Sequence, residues 1–460
     1  MSVNGVGQIR TDSQLEDLLR QFNANRRTIP ISFRDRLRFL NNPDRYSHLI
    51  HPYPAKLLVH IPYFFLSNSI LSKPGDTVLD PFCGSGTVLL ETLLARRRAI
   101  GADINPLARL ISKVKTCPPD PGKLARSVTR LRNAVKTVRE TDLPDVVNLE
   151  YWFYPHVIKK LLGILASINE IADYEIRSFF LVCLSGCVRR VSLADPRLAV
   201  PVRLKVGQYP KGHWLSEKTD QHLRKLKRID VNGIFFSTVE ENSRRLMILS
   251  KTLRAEEREV GLAIDSRDLR ITSNGSFKGL PHTLPSNSVD CVITSPPYVG
   301  SQKYTRATSL SLGWLGLCPS SDLRKLEGLS LGREHYAKAS YENRLETGIK
   351  AAELALDRVN KINPLRAHIA ASYLVEIRDA FREISRVLRR HGYFTLVTAN
   401  NQLCGMEFKV HEYVQILAEE MGFTLKLRLV DEIRSRGLMT KRNKTASLIT
   451  REWILLFQKD

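Results

Sequence analysis

Residues 74–114 read PGDTVLDPFCGSGTVLLETLLARRRAIGADINPLARLISKV. An apolar, β-prone run (Thr77–Asp80) meets a glycine-rich turn. The spacing predicts a helix over about 88–96, a second strand over 99–103, then another helix. Strand, helix and strand in that order form a βαβ unit, the mark of a parallel doubly wound sheet. Gly84 and Gly86 let the backbone bend and approach a ligand closely. Open sheets of this kind bind ligands at the carboxyl ends of their strands. The turn is not a P-loop, because the GK[ST] ending is missing, and it is not a full GxGxxG, because residue 89 is Leu. The second strand ends in Asp103, where an acid is placed to bind ribose hydroxyls. Capping of the helix at NPLARLI is the purely structural alternative for Asp103.

A second stretch, residues 289–300, reads VDCVITSPPYVG. Proline lacks an amide N–H and cannot continue a sheet ladder. The strand therefore stops at Thr294 and holds Ser295, Pro296, Pro297 and Tyr298 stiffly at its end.

Around these landmarks the chain divides into four expected parts. Residues 1–44 are a charged N-terminal helical extension, with helix expected over 12–42. Residues 45–117 hold the glycine-rich turn, preceded by a helical pattern after Pro54 (Leu57, Leu58, Ile61, Phe64, Phe65). PPDPG at 118–122 punctuates the chain. Residues 118–265 are expected to be a largely helical inserted domain, with helices near 123–139, 156–171 and 176–191. Between 197 and 228 this part carries nine Lys/Arg against two acids, with Tyr209 and Trp214 among them. The α/β rhythm resumes over 266–460. There LRITSNGS and SVDCVIT read as strands. ASYLVEIRDAFREISRVLRRHG reads as an amphipathic helix capped by Gly392. YFTLVTA is a strand, VHEYVQILAEEMG a helix, and TLKLRLVDEI with EWILLFQK an antiparallel pair closing the sheet.

The 460 residues carry a formal net charge of +23 and 43% hydrophobic content, with pI about 9.8. A chain this basic calls for a polyanionic partner, most simply nucleic acid. No apolar run approaches the roughly 20 residues a spanning helix needs, and the N-terminus lacks a signal pattern. A cytoplasmic protein without a membrane partner is expected. The seven cysteines are scattered and contain no CxxC, which favours reduced thiols. Cys183 and Cys187 lie four apart on an apolar helical stretch and read as core thiols, with a metal site as the alternative.

These motifs resemble the S-adenosylmethionine-dependent amino methyltransferases of DNA. DPFCGSGT is similar to their cofactor motif and GADINPLA to the strand carrying their ribose-binding acid. TSPPY is similar to their catalytic motif, in the serine form associated with cytosine-N4 methylation. HPYPAKL resembles the segment holding the methionine end of the cofactor. The likeness covers roughly 45–115 and 268–460. It implies a Rossmann-like methyltransferase fold with a mixed seven-stranded sheet, interrupted by the helical insert. It implies S-adenosyl-L-methionine as cofactor, without a metal, held by Tyr53, Lys56, Asp80, Phe82, Gly84, Gly86 and Asp103. Asn274 stands where the family places an acid on the adenine ring, and Asp268 is the fallback. Ser295, Pro296, Pro297 and Tyr298 become catalytic. The motif order, cofactor first, is nearest to enzymes that insert target recognition between the two halves. That assigns duplex DNA to Arg203, Lys205, Arg224, Lys225, Lys227 and Arg228 in the insert. A solvated charged helix face is the alternative for 218–228. Arg306, Lys441 and Arg442 are further expected DNA contacts. Tyr304 and Trp314 are candidates for a flipped-base pocket, with the core as the better place for Trp314.

The physical logic agrees with the likeness. An exocyclic cytosine amine is a poor nucleophile, because its lone pair is conjugated into the ring. Acceptors aimed at its N–H bonds, the Ser295 side chain and the Pro296 carbonyl, would draw that lone pair out. Such preorganised dipoles supply much of catalysis. Tyr298 offers a face for a base flipped out of the duplex. The expected function is thus site-specific cytosine-N4 methylation of double-stranded DNA, as the modification half of a restriction–modification pair with a cognate endonuclease. Adenine-N6 methylation of DNA, RNA base methylation, and a DNA-binding protein with lost catalysis stay open.

Overall fold

The computed structural model describes residues 3–4, 8–136, 142–210, 212–254, 260–271, 283–300, 304–433 and 449–460. Its centre is a nine-stranded mixed sheet. In chain order the strands are β1 (Ile29–Ile31), β2 (Thr77–Asp80), β3 (Arg98–Ala102), β4 (Val260–Asp265), β5 (Asp268–Ile271), β6 (Val289–Thr294), β7 (Leu388–Thr398), β8 (Phe423–Glu432) and β9 (Arg451–Lys459). In space they run β1-β8-β9-β7-β6-β2-β3-β4-β5. Strands β7, β6, β2, β3 and β4 pair in parallel, while β9 is antiparallel to both β7 and β8. The seven strands read from the sequence each have a counterpart here, and two more join them. One is β4, between β3 and β5. The other is the edge strand β1, parallel to β8 through Leu429↔Ile29.

Strand β1 corrects the expectation of helix over 12–42. The helix Asp12–Asn25 ends at Arg26 in a left-handed conformation, β1 follows, and a single turn, Phe33–Arg36, comes next. Pro30 is tolerated in β1 because the strand lies at the sheet edge.

The two key strands form for the reasons their sequences suggest. Every residue of β2 is buried, as are five of the six in β6. They sit side by side through Val78↔Cys291 and Leu79↔Val292. The chain leaves β2 towards β3 on one side, and β6 leads to β7 on the other. Their adjacent carboxyl ends thus form the topological switch point where such sheets bind ligands.

The sheet separates two cores. Alternating residues go to opposite sides: Ile100 and Ala263 join one cluster, Ala99 and Leu262 the other. The first core holds the helix Pro364–Val387, whose Leu374, Ile377, Phe381 and Ile384 are buried. Asn363 caps it by accepting from the Arg366 N–H at 3.1 Å. Gly392 does not cap this helix: the helix ends at Val387, and Gly392 lies within β7, beside a bulge where the β6–β7 register shifts.

The second core joins the βαβ unit to the helices Pro155–Asn169, Tyr174–Val191 and Val231–Thr252. These helices of the 118–265 segment share one core with Leu89, Leu90 and Ile111, and β4 at the end of that segment is a strand of the main sheet. Cys183 and Cys187 are buried, unpaired thiols in this core. A third, small cluster (Leu193, Leu204, Leu223, Leu226) supports a lobe around the helix Ser216–Leu226. Among the described residues no helix is long and apolar enough to cross a membrane.

Candidate active site

A cavity of about 810 Å³ opens at the carboxyl ends of β2, β3, β4 and β6. Tyr53, Lys56, Asp80, Phe82, Gly84 and Asp103 line it, and so do Ser295, Pro296, Pro297 and Tyr298. Two motifs some 200 residues apart in sequence thus meet in one cleft, of the size range that binds small molecules.

The cofactor-like half is built on the turn after β2. Gly84 has φ of 50°, and a Cβ there would project towards the Tyr53 ring, 3.8 Å away. Its N–H donates to Asp103 Oδ2 at 2.9 Å. Asp103 Oδ1 accepts from the Asn105 N–H at 2.8 Å. The capping alternative for Asp103 falls to its neighbour: Asn105 caps the helix Pro106–Thr116 by accepting from the Leu107 N–H, and Pro106 opens it. Burial pushes the Asp103 carboxyl up to about 6, against the two N–H donors and Arg109. An acid beside a glycine amide, an aromatic at Tyr53 and a wall without a Cβ suit a polar sugar edge and an adenosine-like body. These features fit S-adenosylmethionine.

Gly86 does not line the cavity. It has φ of 76° and stands just ahead of the helix Thr87–Leu94, where a Cβ would meet Ser112 Oγ at 2.8 Å. Asp80 lines the cavity and holds two donors. Its Oδ1 accepts from Thr294 Oγ1 at 2.5 Å and from the Phe82 N–H at 3.1 Å. Lys56 donates to the His48 carbonyl at 3.3 Å, and burial lowers its pKa.

The SPPY half is anchored from three sides. Asn401 donates its side-chain amide to the Val299 carbonyl. Gly332, with φ of 69°, leaves no room for a Cβ beside the Tyr298 carbonyl, 3.0 Å away. The Tyr298 hydroxyl donates to Glu452 Oε1 at 2.7 Å. Burial and the neighbouring Glu452 push the Tyr298 hydroxyl far above its ordinary range. Burial likewise raises the Glu452 carboxyl. Tyr304 lines the same cavity and stacks on Tyr53 with centroids 6.5 Å apart.

The remaining expected residues lie elsewhere. Trp314 is fully buried against Phe153 and is a core residue. Arg306 is exposed on the helix Tyr304–Trp314 and does not line the cavity. Arg203 lies over the Tyr151 ring at 4.5 Å. Lys205, Arg224, Lys225, Lys227 and Arg228 are exposed on the small lobe. Asp268 pairs with Arg270 outside the cavity. Asn274, Lys441 and Arg442 lie outside the described residues.

Sequence reasoning missed many lining residues, among them Asp265, Ser266 and Glu452. Asp265 and Ser266 sit at the end of β4, beside Asp103. Their signal was available, since VGLAID is an apolar run ending in an acid. Glu452 carried no local signal, because its place depends on the pairing of the last strand. Among the described residues no group of three or more His, Cys, Asp or Glu is placed to hold a metal ion.

Comparison with known proteins agrees with this geometry. The DNA methylase family model N6_N4_Mtase matches residues 38–113. Type II methyltransferase M.MvaI of Kocuria varians is 27% identical over 387 residues, covering 79% of each chain. M.BsoBI of Geobacillus stearothermophilus is 23% identical over 426 residues, covering 80% of this chain and 78% of its own. M.MjaII of Methanocaldococcus jannaschii is 35% identical over 92 residues, 20% of this chain and 17% of its own. These matches, with the cofactor-like turn and the SPPY segment facing one cleft, support an S-adenosylmethionine-dependent DNA methyltransferase similar to the N6/N4 family.

Proposed function

We propose that the protein methylates the exocyclic N4 amine of cytosine at specific sites in duplex DNA. The observation that carries this reading is the shared cavity: Ser295–Tyr298 and the Gly84–Asp103 pair line one space of about 810 Å³. The cofactor would supply an electrophilic methyl group. Asp103, Tyr53 and Gly84 hold and orient it, and the wall at Asp265 and Ser266 closes the far side of the same space. The Ser295 side chain and the Pro296 carbonyl accept the amine hydrogens, so the nitrogen lone pair turns out of conjugation. Holding amine and methyl in line supplies the main rate gain. Tyr298, backed by the rigid prolines, gives the flipped base a face.

The small lobe is the DNA-facing surface in this reading. Leu193, Leu204, Leu223 and Leu226 hold it together. Its loop Pro196–Ala199 contributes to the cavity wall. Arg197 joins that wall to Tyr209, donating to its hydroxyl at 3.0 Å. Tyr209 stacks on His213, which neighbours Trp214, 68% exposed. Arg224, Lys225, Lys227 and Arg228 supply phosphate contacts. Arg306, Lys441 and Arg442 are further contacts in this reading. The relatives are named Type II methyltransferases, which supports a restriction–modification role with a partner endonuclease.

The test is mass spectrometry of nucleosides from DNA of cells making the protein, beside a Ser295→Ala control. N4-methylcytosine that is lost in the control supports the reading. N6-methyladenine in its place keeps the site and overturns the base assignment. Absence of both marks moves the search to RNA or to a binding role.

A further inference from the structure

We propose that Lys115 and Ser85 form an anion-holding corner of the cavity that takes the methionine carboxylate of S-adenosylmethionine, with Lys115 a positioning residue that acts through the Ser85 hydroxyl. This rests on the reading of the cavity as the cofactor site and extends it by two residues.

The evidence begins with a lysine in a costly place. Lys115 lies in the last turn of the helix Pro106–Thr116 and is wholly buried. Its Nζ donates to Ser85 Oγ at 3.4 Å, a long bond, and among the described residues it makes no ion pair. Burying an ammonium without a counter-charge costs several kcal/mol, so buried charges are ordinarily paired. The buried acid on the helix Thr87–Leu94 is spent elsewhere: Glu91 accepts from Arg45 at 2.8 Å and pairs with His48 at 2.7 Å. Burial pushes the Lys115 ammonium well below its ordinary range, and Lys56 adds to this more than Asp44 offsets it. A neutral amine relieves that cost in the free protein, and an anion bound nearby would favour the charged form again. No described residue neutralises Lys115, so the counter-charge it suits is one that a ligand brings.

Ser85 connects this charge to the cavity. It stands between Gly84 and Gly86 in the glycine-rich turn, is 4% exposed and lines the cavity. Among the described residues Lys115 Nζ is the only partner of its hydroxyl. An ammonium can only donate, and a serine hydroxyl has one hydrogen and two lone pairs. With Lys115 donating to Ser85 Oγ, the serine hydrogen is left for an acceptor. Lys56, the neighbouring cation, lines the cavity as well. Asp103 is bonded to the N–H of the adjacent Gly84 at 2.9 Å. A ligand lying along this turn would thus bring a polar sugar to Asp103 and an anion to Ser85. S-adenosylmethionine has one anionic group, the methionine carboxylate.

The test is calorimetric binding of S-adenosylmethionine and of decarboxylated S-adenosylmethionine, which differs only in lacking the carboxylate. Both are titrated into the wild-type chain, Lys115→Met, Ser85→Ala and the double variant. The wild type should bind S-adenosylmethionine roughly 10- to 100-fold more tightly than the decarboxylated form, as expected of a charge-assisted hydrogen bond. Lys115→Met and Ser85→Ala should each reduce that preference roughly 10-fold. Affinity for the decarboxylated form should hold or rise, which also reports an intact fold. The double variant should lose no more preference than the larger single loss, because Lys115 acts through Ser85. Ser85→Ala carries the test alone if Lys115→Met does not fold. A lysine that only supports the turn would weaken both ligands equally, and that result overturns the proposal. So does a wild type without preference for the carboxylate, or a preference that the variants keep. A wild type that binds neither ligand would overturn the cofactor reading of the cavity, and the proposal with it.

Discussion

The Thr294 hydroxyl donates to the Asp80 carboxyl at 2.5 Å, and both residues are buried. This bond ties the last residue of β6 to the last residue of β2 and so joins the two halves of the site. Burial pushes Asp80 up to about 7, against the donors Thr294 and Phe82. The carboxyl is thus protonated in the folded protein over a range where it is ionised in the unfolded chain. Its contribution to stability is full below pH ~4, declines as pH rises, and is gone above pH 7. The shift corresponds to up to about 4 kcal/mol over that window. Asp80→Asn stays neutral and keeps an accepting oxygen. Denaturant unfolding at pH 4, 6 and 8 should therefore show the Asn variant gaining on the wild type as pH rises. A difference independent of pH would contradict the assignment.

Asp103 should govern cofactor affinity and leave chemistry largely alone. Asp103→Ala removes the acceptor for the Gly84 and Asn105 amides along with the proposed ribose contact. We expect S-adenosylmethionine binding, followed by calorimetry, to weaken by roughly 10- to 100-fold, as loss of a charged hydrogen-bonding group does. The transfer rate at saturating cofactor should change far less.

The opposite split is expected at the SPPY segment. Ser295→Ala and Pro297→Ala should lower the single-turnover rate by orders of magnitude, roughly 10²–10³ for a preorganised hydrogen bond. Cofactor affinity should stay near wild type. If both mutants instead lost only DNA affinity, the segment would not be the catalytic centre.

The exposed cations of the small lobe should set the salt dependence of DNA binding. Neutralising Arg224, Lys225, Lys227 and Arg228 should flatten the plot of log affinity against log salt by about 0.9 for each phosphate that is no longer neutralised. Trp214→Ala should weaken DNA binding with the slope unchanged, because an indole contact releases no counterion. An unaltered slope in the quadruple variant would remove this face from the interface.

The most legible parts of the sequence were those with sharp ends. Strands β2 and β6 are apolar runs that stop at a glycine turn and at two prolines, so their ends, and with them the site, could be placed. The antiparallel β8–β9 pair was legible for the same reason. Harder cases have physical causes. Strand β1 contains Pro30, which argues against a strand unless the chain finds a sheet edge. The helix Val231–Thr252 buries Val231, Phe235, Val239, Leu246 and Leu249, but polar residues interrupt that stripe. Gly392 follows a helical stretch and reads as a cap, yet it serves a bulge that only the β6 partner strand reveals. Glu452 meets Tyr298 across 154 residues, a pairing set by sheet register. No local pattern encodes it.

The lateral pairing of β2 with β6 through Val78↔Cys291 and Leu79↔Val292 has an evolutionary consequence. Neighbouring parallel strands need only a crossover of sufficient length between them, and the sheet itself is indifferent to which is translated first. A gene could be reopened elsewhere and rejoined at its old termini while the same two strand ends still faced each other. Circular permutation of such a chain would rewrite the order of its motifs and keep its chemistry, with the long helical connection free to diverge as the target changes.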